Sequence, residues 1–384
     1  MPLNIVIAPN AFKNALSSIQ ASKAIEAGLI DSHWEGGIRC VPVADGGDHT
    51  MEVLVDYFSG YFVTCSDISD PLGRSISARY GIVDIYGNKT AVVELAEASG
   101  MRRLKAEELT PLHTTSYGTG QLIAKAVKAG IRHIILGVGG SATVDGGTGM
   151  LKALGFSFLN KNSDEISEGG GSLIQMDKIM PPENNILEQV RLEVFCDVKN
   201  PLLGPEGAAR VFGPQKGADH KAVEQLEAGL TKFAQIAEQL TGNRIDGVAG
   251  GGAAGGAAAG SLILGATLSK GGRRMLELMK FADILGDVAC VITAEGQLDI
   301  QTLEGKAPYE VARMAKEKNL PVIALTGAAP SKENAELSRW FDVILPIGRR
   351  PASLEVALSQ TTEDLRRTAC QAGNLLVLLD QSTI

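Results

Sequence analysis

Residues 137–149 read GVGGSATVDGGTG, set between the apolar run HIIL and the segment MLKALGF. This has the form of a glycine loop between a strand and a helix. Backbone N–H groups in such a loop can approach anionic oxygens closely, because no Cβ atoms stand in the way. The first six residues satisfy the dinucleotide pattern G-x-G-x-x-[GA], and no lysine follows the glycines as the Walker pattern requires. A single match of this kind does not choose a ligand, so the rest of the chain decides.

The same layout of short apolar strand, glycine or polar residues, then helix recurs on both sides. NIVIA (4–8) precedes PNAFKNAL and a helix opened by Ser17 and Gln20, which form an S-x-x-Q capping box. RCVPVA (39–44) ends in Asp45-Gly46-Gly47. HIILGV (133–138) leads into the opening stretch. VACVIT (288–293) leads into AEGQLDIQT and a helix around 308–318, and VIALTG (322–327) and FDVILPIG (341–348) follow. Strands alternating with helices predict a parallel sheet covered on both faces.

Two segments depart from that layout. Residues 61–98 alternate as antiparallel strands do, with a turn at Tyr86-Gly87-Asn88-Lys89. Residues 156–283 hold one strand candidate, RLEVFCDV (191–198), among loops and helices. A helix over 219–240 places Val223, Leu226, Leu230, Phe233, Ala237 and Leu240 on one face. The predicted fold is α/β. A discontinuous Rossmann-like domain of 1–60, 114–155 and 284–384 carries a second α/β domain, 61–113 and 156–283, with some antiparallel strands.

Composition narrows the partners. A net charge of -8 over 384 residues argues against a nucleic-acid binder, since phosphate backbones demand a basic surface. The five cysteines form no C-x-x-C pair, which predicts free thiols in a reducing compartment. The N-terminal MPLNIVIAPNAFK has no basic n-region and too short an apolar run for a signal peptide. The uncharged stretch 247–269 is long enough to span a bilayer, but glycine and alanine gain little from lipid. The expectation is a cytoplasmic protein that binds no membrane. Five scattered histidines give no zinc pattern, and no G-x-S-x-G elbow is present.

In open parallel sheets ligands bind beyond the carboxyl ends of the strands. Those ends deliver Asn10 and Lys13, then Asp45 and Asp48, then Gly139, Gly140, Ser141, Thr143 and Asp145. Glu295, Gln297, Asp299 and Thr326 follow the later strands. Any one of them could simply cap a helix, but three ends carrying Asp or Glu beside glycines suit phosphoryl transfer. That chemistry needs backbone donors for phosphate, carboxylates for Mg²⁺ and a further Asp to accept a hydroxyl proton. DVKNPLLGPEG (197–207) and VFGPQKG (211–217) add Asp197 and Lys216.

Read together, APNAFKNALSS, PVADGGDHT, SDPLGRSISARYGI, VELAEASG, TSYGTGQLI, GVGGSATVDGGTGMLKALG, DVKNPLLGPEGAARVFGPQKGA, GGGAAGG and AEGQLDIQTLEGKAP resemble the bacterial glycerate kinase family of type 1. They follow that family's order over most of residues 4 to 330. The resemblance implies ATP-dependent phosphorylation of D-glycerate in a cleft between two domains. Asn10 and Ala11 stand where the family pattern has APDSFK, His49 replaces a Gly, Val144 an Asn, and AEGQLD stands for GEGRLD. Gln297 therefore lacks the charged, two-pronged grip of an arginine.

The expected roles are Asp45 as base and Lys13 as neutralising cation. Gly139, Gly140, Ser141, Thr143, Asp145, Lys216 and Asp299 are expected to hold ATP, and Asp197 and Glu295 to hold Mg²⁺. An NAD-dependent dehydrogenase of a small hydroxy acid and a non-catalytic small-acid-binding protein are the alternatives. Against NAD, the glycine turn follows the third strand of its predicted domain, whereas the usual dinucleotide turn follows the first.

Overall fold

The computed structural model describes residues 4–183, 186–330, 332 and 334–381. Its strands are β1 (Asn4–Ile7), β2 (Ile38–Cys40), β3 (Tyr61–Ser69), β4 (Ser75–Ile85), β5 (Asn88–Glu94), β6 (His133–Gly137), β7 (Ser157–Leu159), β8 (Lys178–Met180), β9 (Arg191–Phe195), β10 (Thr267–Ser269), β11 (Val288–Gln297), β12 (Val322–Ala328) and β13 (Val343–Pro346). They divide between two compact units. One comprises the chain up to Asp45 and from Gly271 onward; the other is Gly46–Lys270.

The first unit is a five-stranded sheet in the order β13-β12-β11-β1-β2, with every pair parallel. Counted within the unit this is 2-1-3-4-5, the doubly wound order of flavodoxin-like sheets. The strand cores are apolar on both faces, since Ile5, Val6, Ile7, Val291, Ile292, Ala324 and Leu325 are all buried. Helix Ser18–Asp31 starts at the predicted capping box: Gln20 N–H donates to Ser17 Oγ at 3.2 Å and Ser17 N–H to Gln20 Oε1 at 2.9 Å. It packs Ile25 and Leu29 into the cluster of Ile5, Ile7, Ile292, Leu325, Leu365 and Ala369. Each such large aliphatic side chain gains roughly 1.5–3 kcal/mol by full burial. A Cβ at Gly28 would lie 2.2 Å from Arg366 O, so glycine there lets this helix close on Leu354–Gln381.

The second unit holds a six-stranded sheet in the order β10-β9-β6-β5-β4-β3. Strands β5, β6, β9 and β10 run parallel; β3, β4 and β5 form an antiparallel meander. At the predicted turn, Ile85 pairs with Asn88 and leaves Tyr86 and Gly87 at φ +51° and +87°. Both values are positive, as a two-residue type I′ hairpin requires. Helix His220–Thr241 is capped by Asp219, whose carboxylate accepts from Ala222 N–H. It buries Val223, Leu226, Leu230, Phe233 and Ala237 as predicted, while Leu240 remains 39% exposed in its last turn.

The division of strands differs from the sequence expectation. HIILG lies between β5 and β9 of the second sheet, not in the Rossmann-like one. Residues 46–60 and 114–155 therefore belong to the second unit, and 271–283 to the first. A buried parallel strand reads as the same apolar run in either sheet, so alternation cannot assign it. β7, β8 and β10 went unpredicted because three-residue strands show no period. Within 247–269 the only α-helix is Ala257–Ser261, and no described helix is long and apolar enough to cross a membrane.

Candidate active site

In the first unit the winding reverses between β1 and β11. Beyond their carboxyl ends lies the crevice where sheets of this type bind ligands. The chain leaves β1 and places Asn10 there, its N–H on Ala294 O at 2.8 Å. Past β2 the chain stays extended, with Val41 N–H on Ile7 O and Val43 N–H on Pro9 O, and so delivers Asp45 to the same edge. Asn10 Nδ2 donates to Asp45 Oδ2 at 3.2 Å. Asp45 caps no helix: the next one, Thr50–Tyr57, starts after His49. His49 sits at φ +70°, a left-handed conformation that costs glycine little and histidine more.

Glu295 comes from the end of β11 and is 5% exposed. Thr302 Oγ1 donates to its Oε1 at 2.8 Å, and Lys306 Nζ stands 4.0 Å from Oε2. Burial pushes this carboxyl up to about 7; Asp299 and Asp45 push the same way, against Thr302 and Lys306. Asp299 instead caps the turn Ile300–Glu304, accepting from Gln301 N–H and from Gln297 Nε2, each at 2.9 Å. Thr326 Oγ1 accepts from Leu298 N–H and donates to Ala328 O, holding the strand end. Lys13 has an exposed side chain, and its backbone N would lie 3.6 Å from a Cβ placed on Gly296.

The glycine loop of the second unit is layered. Gly139 N–H donates to Gly46 O at 3.3 Å, and a Cβ on Gly139 would come within 2.5 Å of Gly47 Cα. Met101 N–H on Gly140 O and Ala142 N–H on Ser99 O strap the loop to the segment after β5. The N–H groups of Gly140 and Ser141 donate to no acceptor among the described residues, and Gly140 is exposed at φ +68°. From Ser141 to Thr148 the chain is buried. The open part of the loop is thus Gly139 and Gly140, with the unpaired N–H of Ser141 at its buried edge.

Three residues expected at the nucleotide lie beneath it. Lys216, 2% exposed, donates Nζ to Ser141 Oγ at 2.7 Å and to Thr143 O at 2.8 Å. Asp145 is fully buried. Its carboxylate accepts from Ser116 N–H at 2.8 Å, Ser116 Oγ at 2.7 Å, Gly147 N–H at 3.0 Å and Gly149 N–H at 3.2 Å. It organises the loop, with no lone pair left over for a ligand at the surface. Thr143 is likewise fully buried. GGGAAGG packs against the same loop: a Cβ at Gly255 would meet Thr143 O at 1.9 Å, and Gly146 N–H donates to Gly255 O. The dinucleotide pattern fails here, because the helix opens only at Thr148, well past residues 137–142.

The residue most clearly missed is Glu94, 3% exposed at the end of β5 and accepting from Met51 N–H at 2.8 Å. Burial pushes it up to about 8, with Glu52, Asp48 and Glu97 acting in the same direction. A carboxylate within the uninterrupted apolar run TAVVEL was its available signal. Asp197 follows β9 in this unit and is half-buried. Among the described residues no group of three or more His, Cys, Asp or Glu is placed to hold a metal ion.

A doubly wound sheet with carboxylates at its reversal point, and a second α/β unit whose glycine loop carries two unpaired N–H groups, make this a two-unit α/β protein. The sequence profile of the glycerate kinase family matches residues 5–377. The chain belongs to that family. It is 40% identical to a glycerate kinase of Bacillus subtilis over 96% of each chain, and 36% identical to a glycerate 2-kinase of Escherichia coli over 96% of each. A crystal structure assigned as glycerate kinase 2 of Salmonella typhimurium LT2 is similar with a TM-score of 0.86 at 36% identity, covering 99% of this chain and 100% of that one.

Proposed function

We propose that this protein transfers the γ-phosphoryl group of ATP to the 2-hydroxyl of D-glycerate, giving 2-phosphoglycerate and ADP. Family membership over nearly the whole chain is the observation that carries this reading. The product assignment leans on the 36%-identical relative named a glycerate 2-kinase.

In the proposed reaction the hydroxyl oxygen bonds to the γ-phosphorus while the bond to the β,γ-bridging oxygen breaks. Asp45 accepts the hydroxyl proton, and the amide of Asn10 fixes one of its oxygens. Lys13 neutralises the glycerate carboxylate or the moving phosphoryl group. The unpaired N–H groups of Gly140 and Ser141 hold phosphate oxygens.

Mg²⁺ needs only one or two protein carboxylates when phosphate supplies other ligands. Glu295 suits it: a buried carboxyl raised to about 7 would be relieved by a cation. Asp197 is the proposed ligand from the second unit, while Asp299 is engaged as a cap. Bound Mg²⁺ would neutralise phosphate charge as the bond shifts. All five cysteines are free, which supports the proposed cytoplasmic location. The test is ADP release from Mg-ATP by purified protein, expected to depend on added D-glycerate. No glycerate-dependent release at saturating Mg-ATP would refute it.

A further inference from the structure

Lys216 stands out among buried groups that the proposed chemistry leaves without a step. Its Nζ is bonded only to neutral acceptors, Ser141 Oγ and Thr143 O. No carboxylate forms an ion pair with it among the described residues. A buried ammonium without a counter-ion is costly. Yet Ser141, which it grips, also carries one of the loop's two N–H groups that have no acceptor among the described residues.

We propose that Lys216 is the positioning residue of the glycine loop and that the loop takes its phosphate together with a proton on Lys216. The anion is the missing counter-charge. Resting on the reading of the loop as a phosphate holder, the inference adds a pH-dependent coupling to it. In the free protein, burial brings Lys216 down to about 7. Asp145 is the charged group acting on it and opposes that shift, but its carboxylate is held by Ser116, Gly147 and Gly149. Near neutrality the ammonium and amine are therefore both populated. A phosphate beside Ser141 favours the ammonium, so nucleotide affinity should fall as pH rises above about 7, by up to about tenfold per unit.

Calorimetric titration of Mg-ADP into the intact protein near pH 8, in two buffers of different ionisation enthalpy, counts the protons taken up. Wild type should take up close to one proton per nucleotide, and Lys216→Met close to none. The variant should also bind more weakly at about pH 6.5, with the gap narrowing as pH rises. No uptake by wild type, or equal uptake by both, overturns the proposal. Should Lys216→Met fail to fold, wild type labelled with ¹³Cε-lysine still decides. One lysine titrating near neutrality should move to higher pH with Mg-ADP, and an unmoved titration is contrary. Gly140→Val separates the underlying reading: wild-type affinity in that variant means the loop does not hold phosphate. Proton-free binding by wild type that Gly140→Val abolishes refutes the Lys216 coupling alone.

Discussion

Asn10 holds Asp45 through a single amide-to-carboxylate hydrogen bond of 3.2 Å at the carboxyl edge of the first sheet. The bond fixes one carboxylate oxygen and makes the base reading of Asp45 directly testable. Because the helix that follows begins only at Thr50, the neutral isostere should not disturb a cap. Asp45→Asn should lower turnover by roughly 10²–10⁴-fold with a nearly unchanged melting temperature. Near-normal turnover in a folded variant would remove Asp45 as base.

Glu295 and Asp197 carry the metal prediction. Replacing either with Ala should raise the Mg²⁺ concentration needed for half-maximal activity by roughly 10–100-fold, the range seen when support for a metal site is lost. Circular dichroism should remain that of the native protein. Mg²⁺ titrations that overlay wild type in both variants would take both residues out of the metal site.

Gly140 is exposed in a left-handed conformation, and a Cβ there would come 3.0 Å from Asp48 Oδ1. Gly140→Val should cost roughly 1–2 kcal/mol of stability from the backbone alone. Its ATP affinity should drop by about tenfold or more, beyond what that strain explains. Normal ATP kinetics in the folded variant would leave the loop a purely structural element.

Glu94 predicts a pH-dependent stability of definite sign. Its carboxyl, at 4.5 when unperturbed, is raised to about 8 in the folded protein, chiefly by burial. Between those values the folded state binds more protons than the unfolded one, so stability falls as pH rises from about 4.5 to about 8. Glu94→Gln keeps an acceptor for Met51 N–H and removes the titration. Its melting temperature should exceed wild type far more at pH 8.5 than at pH 5, for a stability difference of order 3–5 kcal/mol. An equal offset at the two pH values would contradict this.

The sequence made the local elements legible wherever local chemistry specifies them. The Ser17–Gln20 box, the Tyr86-Gly87 hairpin and the apolar face of His220–Thr241 each follow from residues a few positions apart. Sheet membership was not legible for β6, because Ile134, Ile135 and Leu136 suit any strand buried on both faces. The site shows the same division. Asp45 and Glu295 can be named from the strand ends, but whether a residue faces ligand or supports the loop depends on partners far along the chain. Lys216 reaches Ser141 and Thr143, and Asp145 reaches Ser116. Glu94 left one signal, a carboxylate closing the apolar run AVV, which a search of strand ends for glycine-flanked carboxylates passes over.

The phosphorus NMR spectrum of the product tests the central claim most directly. Purified protein incubated with Mg-ATP and D-glycerate should yield ADP and one new phosphomonoester. That resonance should coincide with added 2-phosphoglycerate and couple to the single proton on C2. A resonance coincident with 3-phosphoglycerate would overturn the assignment of the hydroxyl, and no new phosphomonoester at all would contradict the phosphoryl-transfer account.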